Sequence, residues 1–299
     1  MNPVNKYTFN NLPDEDRISN KNLTYNQKYL KALEKNEKLI NDICPLTTTF
    51  DVSPMQDLYF NEYAYTNINK YIIVYAMNYE FNVRFLINHL TLSLETDIDL
   101  FDDETLNDKY SLEDLGDTDF EEVIFLPGSN ILGKIVNFDK IDRLTIQNKN
   151  ILIKPHPITD PEDIRRLGMR YGYYRIIEPE VSGHQVMENC KKIYYTENSE
   201  IGIKAILKGK ETESVSLTSM NQLCAYFPIY SLIDRNQENK VQVIKSYFSG
   251  DYGVIDVTES LNVNELKLEK YFNDSMKYRE KFYPVIPPFN SEEYFRSPS

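Results

Sequence analysis

The sequence predicts an α/β fold: two Rossmann-like halves facing a central cleft, preceded by an N-terminal helical extension. Three observations point there. A continuous apolar run rich in β-branched residues stands at 71–77, and shorter strand-like stretches recur at 122–126, 150–154 and 192–195. Runs of that kind read as parallel strands buried on both faces. Helical patterns fall between them, and this alternation argues for helices layered on a parallel sheet. The alternation also comes in two series that meet near 140–150, one for each half. The expected divisions are a polar, helical extension at 1–69, a first half at 70–148, a second half at 149–262, and a helix with a tail at 263–299.

Length and composition set the outer limits. A chain of 299 residues can bury a substantial core. Its 41% hydrophobic and 26% charged residues exclude a wholly disordered chain. Ten glycines and fourteen prolines exclude collagen-like and linker-like chains. No run of 18 apolar residues occurs, so no transmembrane segment is expected. Residues 1–20 are polar with no apolar core, so no signal peptide is expected. Cys44, Cys190 and Cys224 are odd in number and widely spaced. That argues against a disulfide framework and for a reducing cytoplasm.

The net charge of −13 is unevenly spread. Residues 95–122 hold thirteen Asp and Glu against one Lys, and the rest of the chain is close to neutral. A run of this kind reads as a solvated loop or edge. The sharper alternative is cation binding by Asp102, Asp103 and Glu104, but no EF-hand spacing or turn glycine accompanies them. Global acidity therefore says little against a polyanionic partner elsewhere on the surface.

Taken in order, 25–42 places Tyr29, Leu33, Leu39 and Ile40 at near-helical spacing, which predicts one amphipathic helix. The apolar run 71–77 is the first buried parallel strand, followed by a loop at 78–82 and a helix at 83–94. Residues 122–126 are a second strand, ending in the Pro-Gly-Ser-Asn turn at 127–130, with a helix at 131–138. Strand 150–154 leads through Pro-His-Pro to a helix at 161–171, opened by Asp160 as N-cap and Pro161 at the first helical position. A short strand at 174–177, a helix at 181–189 and a strand at 192–195 follow. A helix at 200–208 is closed by Gly209, and a strand at 212–217 and a long polar helix at 263–282 complete the series.

Two motifs carry the chemistry. The first is Lys-Pro-His-Pro at 154–157, directly after a buried strand. Residues at the carboxyl end of a parallel strand face the ligand crevice of an open α/β sheet. His156, held between two prolines, is positioned to donate to a phosphate or to act as acid or base. The plain alternative is a turn histidine without a ligand. The second motif runs from Thr196 to Lys210. Asn198 or Ser199 caps a helix there, and the amides and dipole of its first turn make a phosphate site. Gly202 admits close approach of a strand or ligand. The plain alternative is an ordinary capped helix.

Lys-Pro-His-Pro at 154–157, taken with Tyr-Thr-x-Asn-Ser-x-x-Gly-x-x-Ala-x-x-x-Gly-Lys at 195–210, resembles the C-terminal half of GT-B-type glycosyltransferases. The closest group looks like the capsule-polysaccharide transferases of Kdo- and sialyl-type. The resemblance covers about 60 residues, 150–210. It implies a GT-B-like fold with an acceptor half at 70–148 and a donor-nucleotide half at 149–262. It implies that Lys154, His156, Asn198, Ser199 and Glu200 hold the donor's phosphate. It also implies that Ile177 and Glu178 border the nucleotide, with His184 near the same loop. Asn198-Ser199 stand where the family's usual form has two Ser/Thr residues, and Glu211 stands where a proline usually follows, so the donor is left open.

Inverting transfer needs a base opposite the leaving nucleotide. Glu80, in the loop after the first strand, is the candidate, and a solvated loop carboxylate is its plain alternative. His89 falls inside a helix and reads as structural. Gly128, Ser129 and Asn130 form a turn that touches donor or acceptor, or simply links strand to helix. Three scattered histidines and three scattered cysteines make no spaced zinc set, and no Asp-x-Asp follows an apolar strand. The absence of a Walker A loop and of Gly-x-Gly-x-x-Gly argues against kinases and dehydrogenases. The expectation is therefore a transferase without metal or cofactor, using a nucleotide-sugar as co-substrate. Its acceptor is a surface glycan or a lipid-linked glycan. The second acceptor is hydroxymethylated phage DNA. A composition heavy in Asn, Lys, Tyr and Ile suits an AT-rich genome, and Arg165, Arg166, Arg170, Lys204, Lys208 and Lys210 offer cations for a polyanion. The cytoplasm is bacterial in the first case and the host's in the second. A third reading is a non-catalytic nucleotide-sugar-binding protein.

Overall fold

A computed structural model of the protein describes residues 112–217 continuously, with 47–49, 63–68, 71–76, 237–249 and 254–282, and single positions at 26, 31, 36, 38, 39, 42, 110, 230 and 233. In chain order the elements are strands β1 (Thr47–Thr49), β2 (Tyr63–Ile68), β3 (Tyr71–Ala76) and β4 (Phe120–Phe125), helices α1 (Ser129–Ile135) and α2 (Phe138–Gln147), then β5 (Leu152–Lys154), α3 (Pro161–Tyr171), α4 (Gly183–Glu188), β6 (Cys190–Tyr195), α5 (Glu200–Leu207), β7 (Glu211–Ser214), α6 (Lys240–Ser249), β8 (Val254–Asp256) and α7 (Leu261–Phe282). They fall into two compact units, one of residues 1–30 with 100–244 and the other of 31–99 with 245–299.

The first unit is built on a parallel sheet of order β5-β4-β6-β7. Val123 lies opposite Leu152 on one side and Ile193 on the other. Val123, Ile124, Ile153 and Ile193 are fully buried, as their continuous apolar runs require of strands covered on both faces. Each such side chain removed from water contributes roughly 1.5–3 kcal/mol. Helix α4 packs on β4 and β6, and α5 packs on α4, β6 and β7.

Local chemistry sets where the helices start and stop. Asp160 accepts from the Glu162 N–H at 2.8 Å, and Pro161 opens α3. Helix α3 then buries Ile164, Leu167, Gly168 and Tyr171 along one face. A side chain at Gly168 would lie 2.1 Å from the Tyr173 ring, so only glycine admits that ring. Two helices, α1 and α2, replace the single one expected at 131–138. Val136 is extended, and the Asn137 side chain accepts from Lys140 N–H to start the second. Buried Arg175 donates to the carbonyls of Asn148 and Ile151 at 3.2 and 3.0 Å, satisfying acceptors just past the C-terminus of α2. The strand expected at 174–177 is a 3-10 turn, Tyr173–Arg175, followed by a parallel bridge from Ile176 to Ile153. Gly209, at φ 70°, ends α5.

The second unit holds a sheet of order β1-β2-β3-β8. The run at 71–77 was expected to be a parallel strand. It is β3, and it pairs antiparallel with both β2 and β8. Ile68 stands opposite Tyr71, and a link that short only joins antiparallel neighbours. The described positions between 31 and 42 are helical, in keeping with the helix expected at 25–42. Asn264 in α7 donates from Nδ2 to Asn36 Oδ1 at 2.9 Å and to the Asp256 carbonyl at 2.8 Å. This buried contact ties α7 to residues 228 positions away.

The division expected at 148/149 does not separate two sheets. Strand β4, placed in the first half, is the second strand of the sheet that holds β5, β6 and β7. An apolar strand of this kind needs a neighbour on each side, and sequence order does not say which strands supply them. The segment expected to stand apart at 263–299 likewise contributes α7 to the unit of residues 31–99 and 245–299. Glu80, His89 and the helix expected at 83–94 lie outside the described residues. No helix among the described residues is long and apolar enough to cross a membrane.

Candidate functional site

In the parallel sheet the first strand, β4, lies between the second and third, β5 and β6. The chain leaves β4 to one side and returns to β6 on the other. Where strand order reverses in this way, a crevice opens outside the carboxyl ends of the two strands, and open α/β sheets bind ligands there. Three turns reach that edge: 127–130 after β4, 155–160 after β5 and 196–199 after β6.

Hydrogen bonds join the first two turns. Leu126 N–H donates to the Lys154 carbonyl at 3.0 Å, and Asp160 N–H donates to Ser129 Oγ at 2.7 Å. A methyl group on Gly128 would lie 3.2 Å from Ile158 Cγ1, so the two turns are in close contact. On the other side, Glu197 N–H donates to Ser216 Oγ at 2.8 Å, which holds the third turn to the chain leaving β7.

His156 is half-buried in its turn. Its Nδ1 accepts from Ile158 N–H at 3.2 Å, which assigns the ring proton to Nε2. Its carbonyl accepts from Thr159 N–H, and its ring meets Tyr110 edge-on. The imidazole is thus held in one tautomer as an N–H donor. Lys154 has a different place from the one expected. It is 2% exposed, and its Nζ donates to the carbonyls of Pro155 and Pro179, each at 2.9 Å. Buried beneath the crevice edge, it fastens the 155–160 turn to the 178–182 turn.

Ser199 caps α5, accepting from Ile201 N–H at 3.2 Å. Asn198 accepts from Thr196 Oγ1 at 2.6 Å and so shapes the turn. Glu200, expected among the phosphate ligands, faces two basic side chains of the protein itself. Its Oε1 lies 3.1 Å from His184 Nε2 and 3.4 Å from Lys204 Nζ. Lys204 is fully buried and also lies 3.2 Å from His184 Nδ1. The three side chains form one compact charge cluster between α4 and α5, so His184 is engaged there. Gly202 does allow a close approach, and the group that approaches is protein. A Cβ at this position would lie 2.3 Å from the Tyr230 hydroxyl and 2.5 Å from Tyr195 Cδ2. The Tyr195 and Tyr230 rings stack at 5.0 Å, and Tyr230 Oη donates to the Ser199 carbonyl at 3.0 Å.

Ile177, expected to border the nucleotide, is turned into the core. It is fully buried, and its N–H donates to the Ile153 carbonyl. Glu178 is half-buried, and burial together with nearby Glu113 pushes its carboxyl above the ordinary range. Two residues on, Glu180 is 8% exposed. Burial pushes its carboxyl up to about 7. Sequence reasoning passed over Glu180, since nothing in Glu-Pro-Glu shows which carboxylate turns inward. The Glu200–Lys204 pair was legible in principle from its i,i+4 spacing.

The six cations considered for a polyanion are all engaged. Arg165 pairs with Glu162, Arg166 with Glu162 and Asp163, Arg170 with Asp142, Lys204 with Glu200 and Lys208 with Glu188. Lys210 donates to the Glu188 carbonyl. A cavity of about 420 Å³ lies at the opposite, amino edge of the sheet, lined in part by Asp119, Cys190 and Lys210. That is the wrong end for the ligand crevice of an open parallel sheet. Among the described residues, no group of three or more His, Cys, Asp or Glu is placed to hold a metal ion. The chain matches no known protein family and no curated protein.

Proposed function

We propose that the protein is a glycosyltransferase that moves a sugar from a nucleotide-activated donor to a hydroxyl acceptor, without a metal ion and with inversion. One observation carries this reading: the turn bearing His156, the Gly128–Asn130 turn and the Ser199-capped start of α5 lie along one carboxyl edge, at the point where strand order reverses. In this reading the donor's phosphate rests against the first turn of α5 and takes the His156 Nε2 proton as a hydrogen bond. The acceptor oxygen attacks the anomeric carbon as the bond from that carbon to the phosphate oxygen breaks. The bonding pair leaves with the phosphate, and the acceptor's proton passes to a base, for which Glu80 is the candidate. The GT-B arrangement of two facing halves and a cytoplasmic location belong to the same proposal. A glycan or lipid-linked acceptor is favoured over hydroxymethylated DNA, because the six cations considered for DNA already hold partners within the chain.

The test is a thermal-shift screen against UDP-, CMP- and GDP-sugars, followed by turnover assays on glycan and hydroxymethylated-DNA acceptors. His156→Ala should weaken donor use by roughly 10- to 100-fold, the loss of one hydrogen bond to a charged group, with an unchanged circular dichroism spectrum. Activity should survive a chelator. Donor binding without any turnover favours a non-catalytic binding protein, and parental kinetics in His156→Ala remove the assignment.

A further inference from the structure

Glu180 occupies an unusual position. Both of its carboxylate oxygens are buried, and among the described residues neither has a hydrogen-bond partner. Among the described residues, three charged groups face it: Lys154 from β5, Glu178 from its own turn and Glu113 from the neighbouring segment. Lys154 favours the ionised form and the two glutamates oppose it. The Lys154 ammonium, however, donates to the Pro155 and Pro179 carbonyls. Among the described residues, the turn that carries Glu180 is held by the burial of Val181, by Ser182, which accepts from Gln185 N–H to open α4, and by bonds to neighbouring segments. Glu113 N–H donates to the Glu180 carbonyl at 2.8 Å, and Ser182 N–H donates to the Glu113 carbonyl at 3.1 Å. The Lys154 bond to Pro179 is the third clasp.

We infer that the 178–182 turn is a proton-biased latch: with Glu180 protonated it lies closed on residues 113–115 and on Lys154, and loss of that proton shifts it toward transient opening. A neutral carboxyl tolerates a site poor in donors, whereas a carboxylate there, with only its own main-chain N–H close by, lacks the donors that water would supply. Relief comes from turning residues 178–182 outward, at the expense of two main-chain hydrogen bonds, one from Lys154, the Ser182 cap on α4 and the burial of Val181. The same ammonium donates to Pro155, directly before His156, so opening the latch loosens the His156 turn as well. The inference stands apart from the glycosyl-transfer reading, because it concerns only how this turn is held.

The test is hydrogen exchange at the amides of Glu113 and Ser182 in the full-length protein, corrected for intrinsic rates. If Glu180 titrates near 7 when closed and near 4.5 when open, the opening equilibrium rises about 30-fold from pH 5.5 to pH 8 and levels off above that. The amides of Ile124 and Ile193 in the sheet should show no such rise. In Glu180→Gln the rise should shrink below about threefold, since nothing remains to ionise. A carbon-13 titration of the Glu180 carboxyl in the parent chain gives a second measurement that needs no variant. A midpoint near 4.5, equal rises at sheet and latch amides, or an unchanged rise in Glu180→Gln would each overturn the latch.

Discussion

Gly202 sits in the first turn of α5, where a Cβ would meet the Tyr230 hydroxyl at 2.3 Å and Tyr195 Cδ2 at 2.5 Å. Gly202→Ala therefore forces two stacked, buried rings to give way. Overpacking of this kind costs about 1–3 kcal/mol. Displacing Tyr230 also removes its hydrogen bond to the Ser199 carbonyl, about 1 kcal/mol more. Alanine returns up to about 1 kcal/mol through its higher helix propensity. The balance is a net loss of about 1–3 kcal/mol. At roughly 2–4 °C per kcal/mol for a unit of this size, thermal unfolding followed by circular dichroism resolves it. Gly133 in α1 supplies the control, because a Cβ there meets nothing within 4 Å. Gly133→Ala should be neutral or should stabilise by up to about 1 kcal/mol. If Gly202→Ala behaves like Gly133→Ala, the packing of Tyr195 and Tyr230 against α5 is wrong, and so is the placement of the Ser199 cap that depends on it.

Two further outcomes follow from burial. The folded chain holds Glu180 protonated up to about 7, against 4.5 in the unfolded chain. Between those values the native state binds more protons, so stability falls as pH rises, by ~3 kcal/mol in all. Urea unfolding at pH 4.5 and pH 7.5 should show this loss in the parent and little of it in Glu180→Gln, and a parent that gains as much in this window as Glu180→Gln does would contradict the buried carboxyl. Cys190 is 1% exposed, and burial pushes its thiol up to about 12. At pH 8 the peptide containing it should resist alkylation in the folded protein and react once the chain is unfolded, as read by mass spectrometry. Rapid labelling of the native protein would show that β6 is not covered.

Much of the first unit was legible from periodicity and punctuation. The apolar runs at 122–126 and 192–195 are β4 and β6, the Asp160-Pro161 start opens α3, and Ser199 and Gly209 bound α5. These signals are local. An N-cap needs only its own turn, and a continuous apolar run needs only to be buried on both faces. The turns of the candidate site were legible for the same reason, since each directly follows a strand.

Partnership was not legible. The Lys-Pro-His-Pro motif reads the same whether its lysine faces a ligand or fastens two turns, and only the Pro179 carbonyl, 25 residues away, decides between them. The glycine of the second motif advertises close approach without saying that Tyr230 is the group that comes close. By itself the amino-acid order determined which segments become strands, where helices begin, and which turns stand at strand ends. Tertiary structure alone decided that β4 lies between β5 and β6, that β3 also pairs with β8, and which carboxylate is buried. Those outcomes depend on contacts between residues far apart in the chain, and local propensity carries no record of such contacts.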